Sequence, residues 1–195
     1  MSRRETSPRP PLEQALRAIA APVGPHPLLA GGRAGNRPVP AAVLVPVVRH
    51  DDRPDLLLTV RHSALRSHPG QISFPGGRVD AGDADVAATA LRETWGGVGI
   101  APEAVEVLGT LPPYLTGPGY SVVPVLRLIP PRCEYRLARD EVEEAFHVPC
   151  EFLFETGTWE DRDYEVEGGR RTYAEIWFGR YRIWGATAGM IVGLR

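Results

Sequence analysis

Short apolar, β-branched runs alternate with stretches of helical spacing along this chain. In LEQALRAIAA (12–21), Leu12, Ala15, Leu16 and Ile19 share one face, which predicts a helix. AAVLVPVVRH (41–50) and DLLLTVRH (55–62) are apolar runs divided by the turn signal DDRP, and they predict two paired strands. Residues 63–82 read as irregular, punctuated by Gly70, Pro75, Gly76, Gly77 and Gly82. ADVAATALRETWGG (84–97) predicts a helix with Asp83 as N-cap and Asp85 favourable in the first turn. AVEVLGTLP (104–112) and YSVVPVLRLIP (120–130) read as strands, and DEVEEAFHVP (140–149) as a short strand or strand-turn element. RRTYAEIWFGRYRIWG (170–185) predicts two strands around a glycine turn, and ATAGMIVGLR (186–195) the start of a helix. Strands on both sides of a central helix, with a helical end, argue an α/β (α+β) sandwich.

The N-terminal part changes this picture little. Residues 1–11 are polar and Pro-rich, and PVGPHPLLAGGRAGNRPVP (22–40) reads as a surface connection. Residues 1–37 are therefore expected to form a helix and a Pro/Gly-rich connection, and 38–195 a single domain. The N-terminus lacks the apolar core of a signal peptide and no 18-residue apolar run occurs, so a cytoplasmic protein without a membrane partner is expected.

Charge narrows the partners. The net charge is -2, which argues against general nucleic-acid binding. All 22 basic residues are Arg, so any anion gripped by a permanent cation is gripped by a guanidinium, whose fork suits phosphate. The two cysteines, Cys133 and Cys150, form no CxxC, and no Cys/His cluster has zinc spacing.

The candidate chemistry lies between residues 57 and 100. FPGG (74–77) precedes an acidic loop with Asp80, Asp83 and Asp85, and the helix that follows ends in RETWGGVGI (92–100). On a helix, positions 93, 96 and 97 share one face. Three carboxylates there would make an oxygen site for Mg²⁺, but only Glu93 is one; Gly96 and Gly97 are not. Two interior glycines also weaken a helix by about 1 kcal/mol each.

These residues resemble the Nudix hydrolases, whose motif is G-x5-E-x7-R-E-U-x-E-E-x-G-U, with U aliphatic. Gly77 matches the first Gly, Asp83 stands where the first acid belongs, one extra residue precedes Arg92, and Arg92, Glu93, Gly99 and Ile100 match. The upstream LLTVRHSALRSHPGQISFPGG (57–77) resembles the coenzyme A diphosphatase branch, as do LPPYLTGPGYSVVPVL, RDEVEEAFHVP and RIWGATAGMI, so that the likeness spans about residues 40–191.

The resemblance implies an α/β/α sandwich with a mixed β-sheet. It implies hydrolysis of the diphosphate bond of coenzyme A or an acyl derivative, with Mg²⁺ or Mn²⁺, to 4′-phosphopantetheine and adenosine 3′,5′-bisphosphate. Among catalytic residues it implies Glu93, assisting a metal or its water, and Arg92, holding Glu93 in place. The metal ligands it implies are Glu93 and the backbone carbonyl of Gly76. Arg61 and Arg66 become candidates for a phosphate, His68 for ordering the loop or contacting phosphate, and Phe74 for the substrate-binding set. The family often adds one acid from outside the motif helix; Glu141 is the candidate by its place in RDEVEEAF, while Glu143 and Glu144 read as a solvated face. Gly96 and Gly97 occupy the positions of the paired glutamates, the family's principal metal ligands, and Asp80, Asp83 and Asp85 lie at the wrong end of the helix to replace them. Two functions follow as expectations: an impaired coenzyme A diphosphatase, or a non-catalytic binder of coenzyme A or a nucleotide. A homodimer stays open.

Overall fold

The computed structural model describes residues 12–26, 37–50, 53–104, 106–117, 119–166 and 169–194. The polar segment 1–11 and most of the Pro/Gly-rich connection lie outside them. Helix α1 (Leu12–Ile19) is followed by strands β1 (Val39–Val48), β2 (Asp55–Arg61), β3 (Ile72–Ser73) and β4 (Gly76–Arg78), then helix α2 (Val86–Val98). Next come β5 (Glu106–Thr110), β6 (Tyr114–Leu115), β7 (Tyr120–Ile129), β8 (Val142–Pro149) and helix α3 (Cys150–Phe154). The chain continues through β9 (Trp159–Val166), β10 (Gly169–Phe178), β11 (Tyr181–Trp184) and helix α4 (Ala186–Val192).

Among the described residues, β1 to β8 form one mixed sheet whose main path runs β3-β2-β1-β7-β5, with β8 on β2, β4 on β1 and β6 on β7. β1 and β7 pair in parallel along their whole length, and the other pairings are antiparallel. β9, β10 and β11 form a separate antiparallel sheet.

The near-continuous apolar character of β1 has a simple cause: both faces are covered. Ala42, Leu44 and Val48 face α2, packed with Val86, Ala90, Val98 and Ile100. Ala41, Val45 and Val47 face the opposite layer, with Ile176 and Ile183 of the small sheet and Ala188 and Ile191 of α4. This is the expected α/β/α sandwich with a mixed sheet. The motif helix is one layer, locked by core contacts, and its C-terminal half lies beside β4 and β8.

Three local expectations need correction. The N-cap of α2 is Asp85, whose Oδ1 accepts the Ala88 N–H at 2.8 Å, and not Asp83. The stretch 63–82 is not wholly irregular, since β3 and β4 lie in it and dock onto β2 and β1. Glu144 is not merely solvated; its carboxylate takes Arg180 at 2.7 and 2.8 Å and the Tyr181 hydroxyl at 2.6 Å.

Candidate functional site

The end of α2 is set by Gly99, which adopts φ 73°, ψ 20° and closes the helix through its N–H to the carbonyls of Thr94 and Trp95. A Cβ there would come within 2.8 Å of the Arg136 carbonyl, so the glycine is fixed by close approach as well as by its backbone angle.

At the other side of the site, antiparallel pairing on β1 sets the direction of the β4 carbonyls. The Pro75 carbonyl accepts the Leu44 N–H at 2.8 Å, and the Val79 N–H reaches the Pro40 carbonyl at 3.1 Å. Bonded pairs alternate in an antiparallel ladder. The peptide groups of Gly76 and Arg78 therefore point away from β1. The Arg78 carbonyl accordingly accepts Arg92 Nη2 at 3.0 Å, and the Gly76 carbonyl lies on the same edge. Gly76 itself leaves no room for a side chain: a Cβ would sit 2.4 Å from the Ala42 carbonyl oxygen.

Arg92 ties this edge to the helix. Its Nε and Nη2 donate to the two oxygens of Asp83 at 2.9 and 2.8 Å, and its Nη1 donates to Glu93 Oε1 at 2.6 Å. The Asp83 side chain is only 6% exposed, and it also accepts from the Asp80 N–H and the Thr89 hydroxyl, each at 2.8 Å. The hydrogen bonds from Arg92 hold its carboxyl well below the usual carboxylate range, and the same pairing raises Arg92. Asp83 is thus the anchor of Arg92, and Arg92 orients Glu93. Gly77 lies against that carboxylate, where a Cβ would come within 2.5 Å of Glu93 Oε2.

Removal of Asp83 is expected to weaken folding. Asp83→Ala strips two charge-assisted bonds from Arg92, at a cost of about 2–3 kcal/mol. For a domain of this size that lowers Tm by about 5–10 °C. The acid dependence has a definite sign. A depressed carboxyl stabilises fully above its unfolded pKa of about 3.9, and that contribution is lost as pH falls from there through the depressed folded value. Thermal melts between neutral pH and pH 3 should show a shallower acid decline in Asp83→Ala than in the parent.

Glu93, Gly97 and Val98 of α2 line one pocket with Phe74, Pro75 and Gly76, with Arg61 and Thr59 of β2, and with Glu141 and Val142. Five of the sequence candidates meet there: Glu93, Gly76, Arg61, Glu141 and Phe74. Phe74 is 2% exposed and belongs mainly to the core. Arg61 has a buried Nε without a hydrogen-bond partner, while its Nη2 reaches the Ser67 carbonyl at 3.3 Å. Arg66 and His68 lie on the exposed loop after β2, outside the pocket lining. Within that loop the ring that bonds is His62, whose Nδ1 accepts the Ala64 N–H at 3.1 Å; His68 contributes a left-handed backbone, φ 57°, and its carbonyl to the Gln71 N–H. Thr59 and Ser73 are pocket residues that sequence reasoning missed; strand alternation puts Thr59 two residues from Arg61 on the same face.

Gly97 faces this pocket and Gly96 is exposed. A Cβ at Gly97 would touch only Val142 Cγ2 at 3.6 Å, and one at Gly96 would meet nothing within 4 Å. A side chain can therefore start from either position without a clash at its Cβ.

The oxygen donors fit a divalent cation only in part. Among the described residues the pocket is lined by two carboxylate residues, Glu93 and Glu141, two hydroxyl residues, Thr59 and Ser73, and the carbonyl edge of Gly76. Glu93 already shares Oε1 with Arg92. Mg²⁺ favours six oxygens in near-octahedral geometry, so this set does not complete a protein-held site.

Comparison with known proteins agrees with this architecture. The family model described as NUDIX domain matches residues 38–166. The "Uncharacterized Nudix hydrolase NudL" of Citrobacter koseri is 45% identical over 151 residues, covering 77% of this chain and 78% of the relative. Its Escherichia coli O1:K1 / APEC namesake is 46% identical over the same extent, 77% and 78%. In fold, the chain resembles the MutT/nudix family protein from Enterococcus faecalis, with TM-score 0.54 and 18% identity over 83% of this chain and 62% of that one. It also resembles the Nudix hydrolase RenU from M. smegmatis, with TM-score 0.51 and 19% identity over 66% and 80%. The arginine-braced glutamate in the C-terminal half of α2, the glycine edge facing it and these relatives lead to one assignment: the chain belongs to the Nudix hydrolase family.

Proposed function

We propose that this chain receives the diphosphate of coenzyme A or an acyl derivative in the Glu93 pocket and hydrolyses it slowly, because the motif helix supplies one carboxylate where the branch it resembles supplies three. The observation that carries this reading is the pocket lining itself: Glu93, Gly76, Arg61 and Glu141 converge on it, and Gly97 enters where a further ligand would stand. Members of the family generally use divalent metal ions, with Mg²⁺ or Mn²⁺ the choice in this branch.

The roles follow from chemistry. The buried Nε of Arg61 is a donor in want of an acceptor, and a phosphate oxygen satisfies it with charge assistance. Glu93, held by Arg92, is oriented to accept a proton or a hydrogen bond from an attacking water. Glu141 supplies a second acid in the pocket lining. Beyond Arg61, this set lacks positive charge against the diphosphate and the developing oxyanion, the largest usual contribution to such a reaction. The second reading, a binder of coenzyme A without turnover, is favoured by the contrast between the Arg61 guanidinium in the pocket and a thin ligand set.

Calorimetry tests the binding half of the proposal. Coenzyme A should bind saturably to the purified chain, and Arg61→Ala should weaken it by about tenfold, the loss of one charge-assisted contact of about 1.4 kcal/mol. Equal affinity in parent and variant would remove Arg61 from the site. Binding without product formation would select the non-catalytic reading.

A further inference from the structure

A second polar cluster lies elsewhere, at the far end of the sheet. His50 follows β1 directly, Asp55 opens β2, and His147 sits in β8. The pairing explains why they meet. Val48 faces Asp55 across β1 and β2, and His147 faces Leu57 across β2 and β8. Asp55 and Leu57 share a face, so His147 is the diagonal neighbour of Asp55. His147 is five residues along β8 from the pocket residue Val142, about 16 Å at strand spacing.

Asp55 Oδ2 is 3.5 Å from His50 Nε2 and 3.5 Å from His147 Nδ1. One ligand atom from each residue lies within 4.8 Å of the other two. Four ligands about 2.0–2.1 Å from a tetrahedral ion stand roughly 3.3 Å apart. The two contacts to Asp55 are close to that spacing, and the imidazole nitrogens lie within 4.8 Å of each other. The His50 and His147 rings are tilted by 43° with centroids 6.0 Å apart, so neither stacks on the other.

A second observation points the same way. His147 Nε2 is engaged by the Tyr135 hydroxyl at 3.1 Å. That contact fixes the ring with Nδ1 facing the Asp55 carboxylate. Imidazole ligands in metal sites characteristically bond their other nitrogen to a protein group, which fixes tautomer and ring orientation. The side chains of His50, Asp55 and His147 are 41%, 19% and 30% exposed, which gives an ion an entry path and water a fourth position.

We infer that His50, Asp55 and His147, with Tyr135 orienting His147, form a binding site for one first-row divalent ion of the Zn²⁺ class, separate from the Glu93 pocket. Two imidazoles and one carboxylate select such an ion over Mg²⁺, which prefers oxygen alone. The ion would tie the end of β1 and the start of β2 to β8.

The test is a titration of the chelator-treated full chain with Zn²⁺ by calorimetry, and with Co²⁺ by visible absorption. One equivalent should bind, Zn²⁺ should raise Tm, and Co²⁺ should give d–d bands. His50→Ala, at an exposed strand end where refolding is not at stake, and Asp55→Asn should each weaken Zn²⁺ by at least about tenfold, as should Tyr135→Phe. Glu93→Gln should leave it unchanged. No saturable binding would overturn the inference. So would affinity unaffected by His50→Ala and Asp55→Asn, or affinity lost only in Glu93→Gln, which would place the ion in the other pocket.

Discussion

Gly96→Glu combined with Gly97→Glu is expected to raise the metal-dependent turnover of coenzyme A by at least about 10²-fold, the kinetic equivalent of about 2.7 kcal/mol. The space is available, with only Val142 Cγ2 at 3.6 Å from a Cβ at Gly97 and nothing within 4 Å at Gly96. The new carboxylates would share a helical face with Glu93 and with the carbonyl edge of Gly76. Helix propensity favours the change by up to about 2 kcal/mol, while three clustered carboxylates repel one another at i, i+3 and i+4. A divalent ion relieves that repulsion. The double variant should therefore gain more Tm from Mg²⁺ or Mn²⁺ than the parent does, by the linkage between binding and folding. Steady-state assay of both proteins with the same ions checks the first effect, and melts with and without ion check the second.

Gly76→Ala is expected to disable the site from the opposite side and to destabilise the fold by about 3 kcal/mol or more, the range for forced overpacking against backbone. The added methyl would lie 2.4 Å from the Ala42 carbonyl oxygen and 2.5 Å from Val43 Cα. Neither atom can rotate away, so β4 must leave β1. That movement takes with it the Pro75–Leu44 bond, the Gly76 carbonyl and the Arg78 carbonyl that holds Arg92. A fall in Tm of about 6–12 °C should accompany loss of coenzyme A binding. A Tm within about 2 °C of the parent would show that β4 accommodates a side chain.

Much of this was legible in the sequence, for identifiable reasons. The apolar strands β1, β2 and β7 announce themselves because both of their faces are buried. The motif helix appeared within two residues of its bounds, yet its cap was misassigned. Asp83 and Asp85 both precede the helix and satisfy the same capping preference; what separates them is a contact between Asp83 and Arg92, nine positions apart. β9, WEDRDYEV, was missed because much of it is exposed and its charges hide any alternation. It forms through cross-strand partners such as Thr172 on Asp163. The meeting of Arg61 with Glu141 was not readable from spacing, since it depends on β8 pairing with β2. The same pairing gathers His50, Asp55 and His147, which have no recognisable metal-ligand spacing in the chain.

The pocket keeps Arg61 on its anion-binding side, while its cation-binding side is depleted. The most direct measurement is the turnover number of the unmodified chain with saturating coenzyme A and Mg²⁺ or Mn²⁺, following release of adenosine 3′,5′-bisphosphate. The expected value is at least about a hundredfold below 1 s⁻¹, the lower end of ordinary enzymes. Turnover at about 1 s⁻¹ or faster would contradict it, and would mean that Glu93, Glu141 and the Gly76 edge suffice without the carboxylates that Gly96 and Gly97 do not provide.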